Sequence, residues 1–207
     1  MAPGDALTHR LFFAFELDEV CRAAVQRLVD ELARRLDAHA GTGKGRVKWV
    51  ERENFHVTVR FLGPVSETRL DEIRKLLETP FGTQPFELRF DRVGAFPDRG
   101  APRVVCLGAS AGAAQAEMIL RQLEDRLEAA GLPPEGRPLR AHVTLGRFRD
   151  PGRREDSRMI REFTLRPVGP LLVDHLTLYE SRLSSRGPSY DPLARVSLET
   201  GRASTKR

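Results

Sequence analysis

A chain of 207 residues, 40% of them hydrophobic, can bury one substantial core. It has no apolar run near the roughly 20 residues of a membrane span and no secretory leader, so one cytoplasmic globular unit over residues 1–198 is expected, with a polar tail at 199–207. Cys21 and Cys106 are too few and too isolated for a disulfide framework or a thiolate metal site, and the net charge of +5 is carried almost wholly by arginine, whose planar donor fork matches phosphate and favours a polyanionic partner.

Residues 11–17 (LFFAFEL) form a nearly continuous apolar run of strand length, which suits a buried central strand. Asp18 is placed to cap a helix over 19–37, whose Ala24, Leu28, Leu32 and Leu36 recur at helical spacing. A Gly-rich basic loop follows over 39–46. Its Gly41-Thr42-Gly43-Lys44-Gly45 has only the composition of a phosphate-binding loop, because Gly45 stands where the Walker pattern needs Ser or Thr. Residues 47–50 suit a short strand. A strand over 55–62 stops at Gly63-Pro64, Ser66 is a helix N-cap, and Pro80 ends that helix near residue 78. Residues 86–96 read as a strand and 97–102 as a turn.

The order then repeats. A strand over 103–109, with Cys106 as a small buried apolar residue, leads to a helix over 112–130 with Ile119, Leu120, Leu123 and Leu127 on one face. A Pro-rich loop, a strand over 142–148, a short basic helix near 156–163, a strand over 171–179 and a last strand over 194–198 complete the chain. From the opening strand to the next histidine is 45 residues in the first half (56 − 11) and 39 in the second (142 − 103), which points to an internal duplication.

Three times a histidine is followed two residues later by threonine inside an apolar run: at His56 and Thr58, His142 and Thr144, and His175 and Thr177. Five histidines and eleven threonines in 207 residues give about 0.3 such pairs by chance (5 × 11/207). Residues two apart on a strand point the same way, so each motif sets an imidazole beside a hydroxyl on one face of a sheet. His56 and His142 fall at equivalent points of the duplication. His175 falls where the first half has 86–96, and is read as a decoy. A pseudo-twofold relation brings the first two motifs together across a cleft.

Two imidazoles with ordinary pKa values near 6.5 can supply a base and an acid at neutral pH, which transfer of a phosphoryl group between oxygens requires. Thr58 and Thr144 are candidates to bond the non-bridging oxygens. Arg60 continues the face of His56 and Thr58 and is equally suited to reach the phosphate or to form a solvent-facing ion pair. Arg147 is out of phase with His142 and Thr144, and reaches the cleft only through a bulge or its own length. Trp49, the only tryptophan, is equally suited to stack on a base or to fill the core, and Phe96 has the same two readings. The histidines lack metal-ligand spacing, so no zinc site and no cofactor are expected.

Two His-x-Thr strands in a duplicated chain resemble the 2H phosphoesterase superfamily. The flanking segments RLFFAFEL, VKWVERENFHVTVRFLG, PFELRFDRVGAFP, LPPEGRPLRAHVTLGR and LTLYESRLSSRGPSYDPLARVSL are similar to the RNA 2′,3′-cyclic phosphodiesterases historically called 2′-5′ RNA ligases. The resemblance departs at Phe55 and Val57, where leucines are more usual, and at His175, which replaces an acidic residue. It implies a bilobal α+β fold, each lobe an antiparallel sheet with helices on its outer face and the active cleft between them. It also implies metal-free opening of a 2′,3′-cyclic phosphate at an RNA end to a 2′-phosphate, with His56 donating a proton to the departing 3′ oxygen and His142 activating water. The implied partners are RNA with cyclic phosphate ends, tRNA fragments among them, or small cyclic nucleotides, taken by a monomer away from membranes. The alternatives are the same site run in reverse as a 2′-5′ ligase on ends like those of tRNA halves, and a binding module for nucleotides or RNA without turnover.

Overall fold

The computed structural model describes residues 8–40, 46–185 and 187–199. The Gly-rich loop 41–45 and the tail from residue 200 lie outside them. The elements in chain order are β1 (Thr8–Glu16), α1 (Glu19–Ala40), β2 (Val47–Trp49), a 3-10 turn (Arg52–Asn54), β3 (His56–Ser66), α2 (Glu67–Leu76), β4 (Phe86–Phe96), β5 (Val104–Ala111), α3 (Ala113–Ala129), β6 (His142–Phe148), α4 (Arg154–Arg161), β7 (Val168–Val173), β8 (His175–Ser184) and β9 (Gly187–Ser197).

The strands form one curled antiparallel sheet in the order β7-β4-β5-β6-β3-β1-β8-β9, with β2 paired to β6. Two lobes are evident in that order. One is β3-β1-β8-β9 and the other β7-β4-β5-β6, and they meet where β3 and β6 pair through Val57 and Val143. Each half of the chain lends a strand to the other lobe: β4, from the first half, flanks β5, while β8, from the second, flanks β1. The helices cross over as well. Helix α1 packs on β7 and α4, whereas α3 packs on α2 and β3.

Sequence dictates much of this locally. The Asp18 carboxylate accepts the Cys21 backbone N–H at 2.7 Å, a capping bond that starts α1 where expected. Ser66 occupies the N-cap of α2 with extended backbone, but its hydroxyl makes no capping bond. Phe13, Phe15, Phe55 and Phe90 are fully buried with the leucines and valines of both lobes in one core. Val57 and Val143 are fully buried as well, so the core lies on the face of the sheet they share and the histidines stand on the other.

Three strands differ from expectation. β3 runs through Pro64 to Ser66, because beyond Val57 only its β1 edge is paired and the missing N–H of Pro64 can face the open side. The segment expected as one strand at 171–179 breaks at Asp174 into β7 and β8, which belong to different lobes of the sheet. β9 begins seven residues earlier than residue 194 (194 − 187), and as an edge strand it tolerates Pro188 and Pro192. Among the described residues no helix is long and apolar enough to cross a membrane.

Candidate active site

The antiparallel register through Val57 and Val143 places His56 opposite Thr144 and Thr58 opposite His142. Each imidazole therefore stands beside its own threonine along the strand and the other motif's threonine across it. The local pseudo-twofold axis runs between the two valines.

The two rings are oriented in the same way. His56 Nδ1 lies 2.8 Å from the carbonyl oxygen of Asn54, and His142 Nδ1 lies 2.6 Å from that of Arg140, in each case two residues before the histidine. A carbonyl can only accept, so Nδ1 carries the hydrogen and Nε2 is left as the nitrogen that exchanges protons. Nε2 of His56 is 3.0 Å from the Thr58 hydroxyl. Burial pushes the His56 imidazole down to about 4; the Asn54 carbonyl works against this shift and the charge of His142 adds to it.

A cleft of about 910 Å³ opens on this face, and His56, Thr58, Thr144, Arg147 and Trp49 all line it. His142 stands opposite Thr58 at its margin, with its ring edge-to-face with Phe96 and the two ring centroids 5.3 Å apart. Trp49 is half-buried against the core and also forms part of the wall. Arg10, Lys48, Asn54, Phe61 and Tyr190 also line the cleft, as does the tip of the β8–β9 hairpin. That hairpin is held by the Asn54 side-chain amide, which donates to the Pro188 carbonyl at 2.9 Å.

Arg60 does not reach the cleft. The β1–β3 register slips between Phe13 and Ala14, leaving Val59 as an extra residue, so Arg60 turns to the helical side of the sheet. There it is buried, paired with Glu124 at 2.8 Å and Glu135 at 3.2 Å, and donates to the carbonyls of Phe61 and Pro133. The matching slip in β6, at Leu145, brings Arg147 into the cleft. Phe61 and Arg147 are each the fifth residue after a motif histidine. That shared offset is the signal by which Phe61 was detectable in the sequence; Asn54, Phe12 and Tyr190 left none.

The third motif has a different occupant. Thr177 is fully buried, and its hydroxyl donates to Glu16 at 2.8 Å, while His175 Nε2 lies 3.6 Å from the same carboxylate and its Nδ1 contacts Asp174. Arg195 completes a two-pronged pair with Glu16 at 2.7 and 3.0 Å. Burial works to raise the Glu16 carboxyl, but the hydroxyls of Thr177 and Tyr179, with Arg195, outweigh it and hold it below the ordinary range. In this motif the hydroxyl bonds a carboxylate of the chain itself, and the imidazole stands beside it. Among the described residues, no three His, Cys, Asp or Glu side chains gather so as to hold a metal ion.

Residues 20–106 and, a second time, 107–190 match the family of LigT-like phosphoesterases. The chain belongs to that family. One match falls in each half of the chain, as the repeated order of elements requires. Among curated relatives, the RNA 2′,3′-cyclic phosphodiesterase of Archaeoglobus fulgidus is 33% identical over 185 residues, 89% of this chain and 97% of that protein. The protein of the same name from Aeropyrum pernix is 37% identical over 172 residues, 82% and 96% of the two chains. Among solved structures, Thermus thermophilus TT0787 superposes with a TM-score of 0.71 at 28% identity, covering 92% of this chain and 98% of that one. E. coli LigT complexed with 3′-AMP, 24% identical with a TM-score of 0.70 over 94% and 100% of the two chains, shares the fold.

Proposed function

We propose that this protein is a cytoplasmic, monomeric hydrolase that opens 2′,3′-cyclic phosphate ends of RNA to 2′-phosphates without a metal. The observation that carries the reading is the pairing of two imidazoles, each with Nδ1 tied to a carbonyl and so left with Nε2 as the proton-exchanging nitrogen, across one register point of the sheet. Water gives a proton to Nε2 of His142 as its oxygen attacks phosphorus. The bond from phosphorus to the 3′ oxygen breaks, and that oxygen takes the proton from Nε2 of His56, leaving the phosphate on the 2′ oxygen. Thr58 and Thr144, one from each lobe, donate to the non-bridging oxygens, whose charge shifts position in the transition state. Arg147 binds the phosphate, and Trp49 lies along the path of the RNA strand. Arg60 has no part in this.

The test is incubation of the purified protein, with EDTA present, with a short RNA ending in a 2′,3′-cyclic phosphate. The expected product is a 2′-phosphate, lost in His56→Ala and in His142→Ala. Because the pair acts as a unit, the double variant is scarcely slower than either single. Turnover retained in either single variant, or activity lost on chelation and restored by a divalent ion, would overturn the mechanism. Tight binding of the cyclic end with no turnover would make the protein a binding module.

A further inference from the structure

The two motifs present their histidines alike, yet the surroundings of the rings differ. Phe12 of β1 lies against the His56 ring with centroids 5.0 Å apart and a tilt of 40°, and Tyr190 of β9 meets it edge-on at 5.1 Å and 86°. Phe12 and Tyr190 are edge-to-face at 5.0 Å, and Phe12 stacks on Tyr179 at 5.3 Å, so His56 sits at the margin of a packed aromatic group. Against His142 the corresponding contact is with Phe96 alone among the described residues.

The difference has a topological origin. β9 and β7 occupy equivalent outer positions in their lobes. β9 has 11 residues, and its hairpin with β8 folds over the cleft to the Asn54–Pro188 bond. β7 has six, and contributes nothing to the wall of the cleft.

We propose that Tyr190 and Phe12 are positioning residues that make two otherwise equivalent histidines unequal: packed against the His56 ring they limit its contact with water, so that its protonated form, once the substrate's charge has favoured it, is the stronger acid of the two. The proposal rests on the hydrolase reading above. An imidazolium deprived of water is costly to form, and it releases its proton more readily to a leaving oxygen. Burial is the largest influence on His56, which agrees with this geometry. The substrate phosphodiester then supplies the negative charge that favours the proton on His56 when it is needed.

Nearby charges do not produce the same effect. Besides His142, the ionisable groups facing this region from the cleft are Arg10, Lys48, Glu51 and Arg147, of which the two arginines lie near the hydroxyl of Tyr190. On the other side a smaller cavity of about 270 Å³ is lined by Glu16, Arg22, Glu53, Tyr179 and Arg195. Glu16 is already engaged by Arg195, and the remaining signs oppose one another. The two rings contribute the local desolvation.

The test follows the histidine Cε1–H resonances of the free protein by NMR against pH in wild type, Tyr190→Phe, Tyr190→Ser and Phe12→Leu. The pH dependence of kcat/KM is measured in parallel on RNA with a cyclic end. The His56 midpoint is expected at about 4 in wild type and unchanged in Tyr190→Phe. In Tyr190→Ser and in Phe12→Leu it rises by about one unit or more, with the His142 resonance unmoved and the kinetic limb that follows His56 shifted by the same amount. An unmoved midpoint in a folded Tyr190→Ser or Phe12→Leu protein would overturn the proposal. An equal rise in Tyr190→Phe would also overturn it, because the effect would then lie in the hydroxyl. The titration needs no turnover, so hydrolysis with an unshifted His56 defeats this proposal alone, whereas a shift in a protein that cannot hydrolyse RNA defeats the hydrolase reading.

Discussion

Lowering the pH from 7 to 4.5 is expected to destabilise the wild-type protein through His56, and His56→Gln is expected to remove that part of the loss. In the unfolded chain this imidazole binds a proton at the ordinary value of 6.5, while in the folded protein it does so only near 4. The folded state therefore resists the proton that the unfolded state accepts. Stability from this group is complete above 6.5, falls as the pH drops, and levels off below about 4. At about 1.4 kcal/mol per unit the full interval is worth about 3 kcal/mol, a large share of the 5–15 kcal/mol typical of a folded domain. Urea unfolding at pH 7, 6, 5 and 4.5 gives the free energies directly. The Gln variant keeps a side-chain N–H for the Asn54 carbonyl and has nothing to titrate, so carboxylates such as Glu16 and Glu180 contribute equally to both curves. The difference between wild type and variant should shrink or invert by about 2–3 kcal/mol between pH 7 and pH 4.5. Two proteins that lose stability in step would show that the His56 ring is not held neutral by the fold, and would remove the physical basis for its asymmetry with His142.

His9 should show the opposite dependence on pH. Hydrogen bonds to Glu180 at 2.7 Å and Glu67 at 2.5 Å raise its proton affinity, so its stabilising contribution is complete below 6.5 and fades as the pH rises through its raised value. His9→Gln should therefore cost more stability at pH 6 than at pH 9, as read by urea midpoints. The two arginines that the sequence placed at the same site should separate cleanly. Arg60→Ala removes the buried guanidinium that pairs with half-buried Glu124 and is expected to lose about 3 kcal/mol of stability while the folded variant still binds RNA. Arg147→Ala is expected to melt as wild type does but to lose about 10²-fold in kcat/KM. In Gly146→Ala the new methyl group meets Val47 Cγ1 at 2.7 Å and Trp49 Cε3 at 2.8 Å. It should cost about 1–3 kcal/mol and raise KM for RNA more than it lowers kcat, because it displaces one wall of the cleft; an unaltered KM would separate Trp49 from the substrate.

What the sequence by itself determined is what depends on short-range pattern. The pleat repeats every two residues whatever the strand pairs with, so His56 with Thr58 and His142 with Thr144 share a face by local geometry, and Asp18 caps α1 because its carboxylate needs only the N–H three residues on. The duplication also ranked the motifs: the two at equivalent points meet across Val57 and Val143, whereas the third turns its Thr177 and His175 onto Glu16. Tertiary pairing decided the rest. A single extra residue at Val59 carries Arg60 out of the cleft and the same device at Leu145 carries Arg147 in, and whether a strand bulges depends on the neighbour it must match. The division of 171–179 into β7 and β8 depends on strand partners in different lobes, β4 for one and β1 with β9 for the other, which no local window contains. The unequal surroundings of the two histidines come from β1 and β9, strands whose residues lie 44 positions before His56 (56 − 12) and 134 after it (190 − 56). Periodicity fixes which way a side chain points, but how much water reaches it depends on chain segments brought there only by the completed fold.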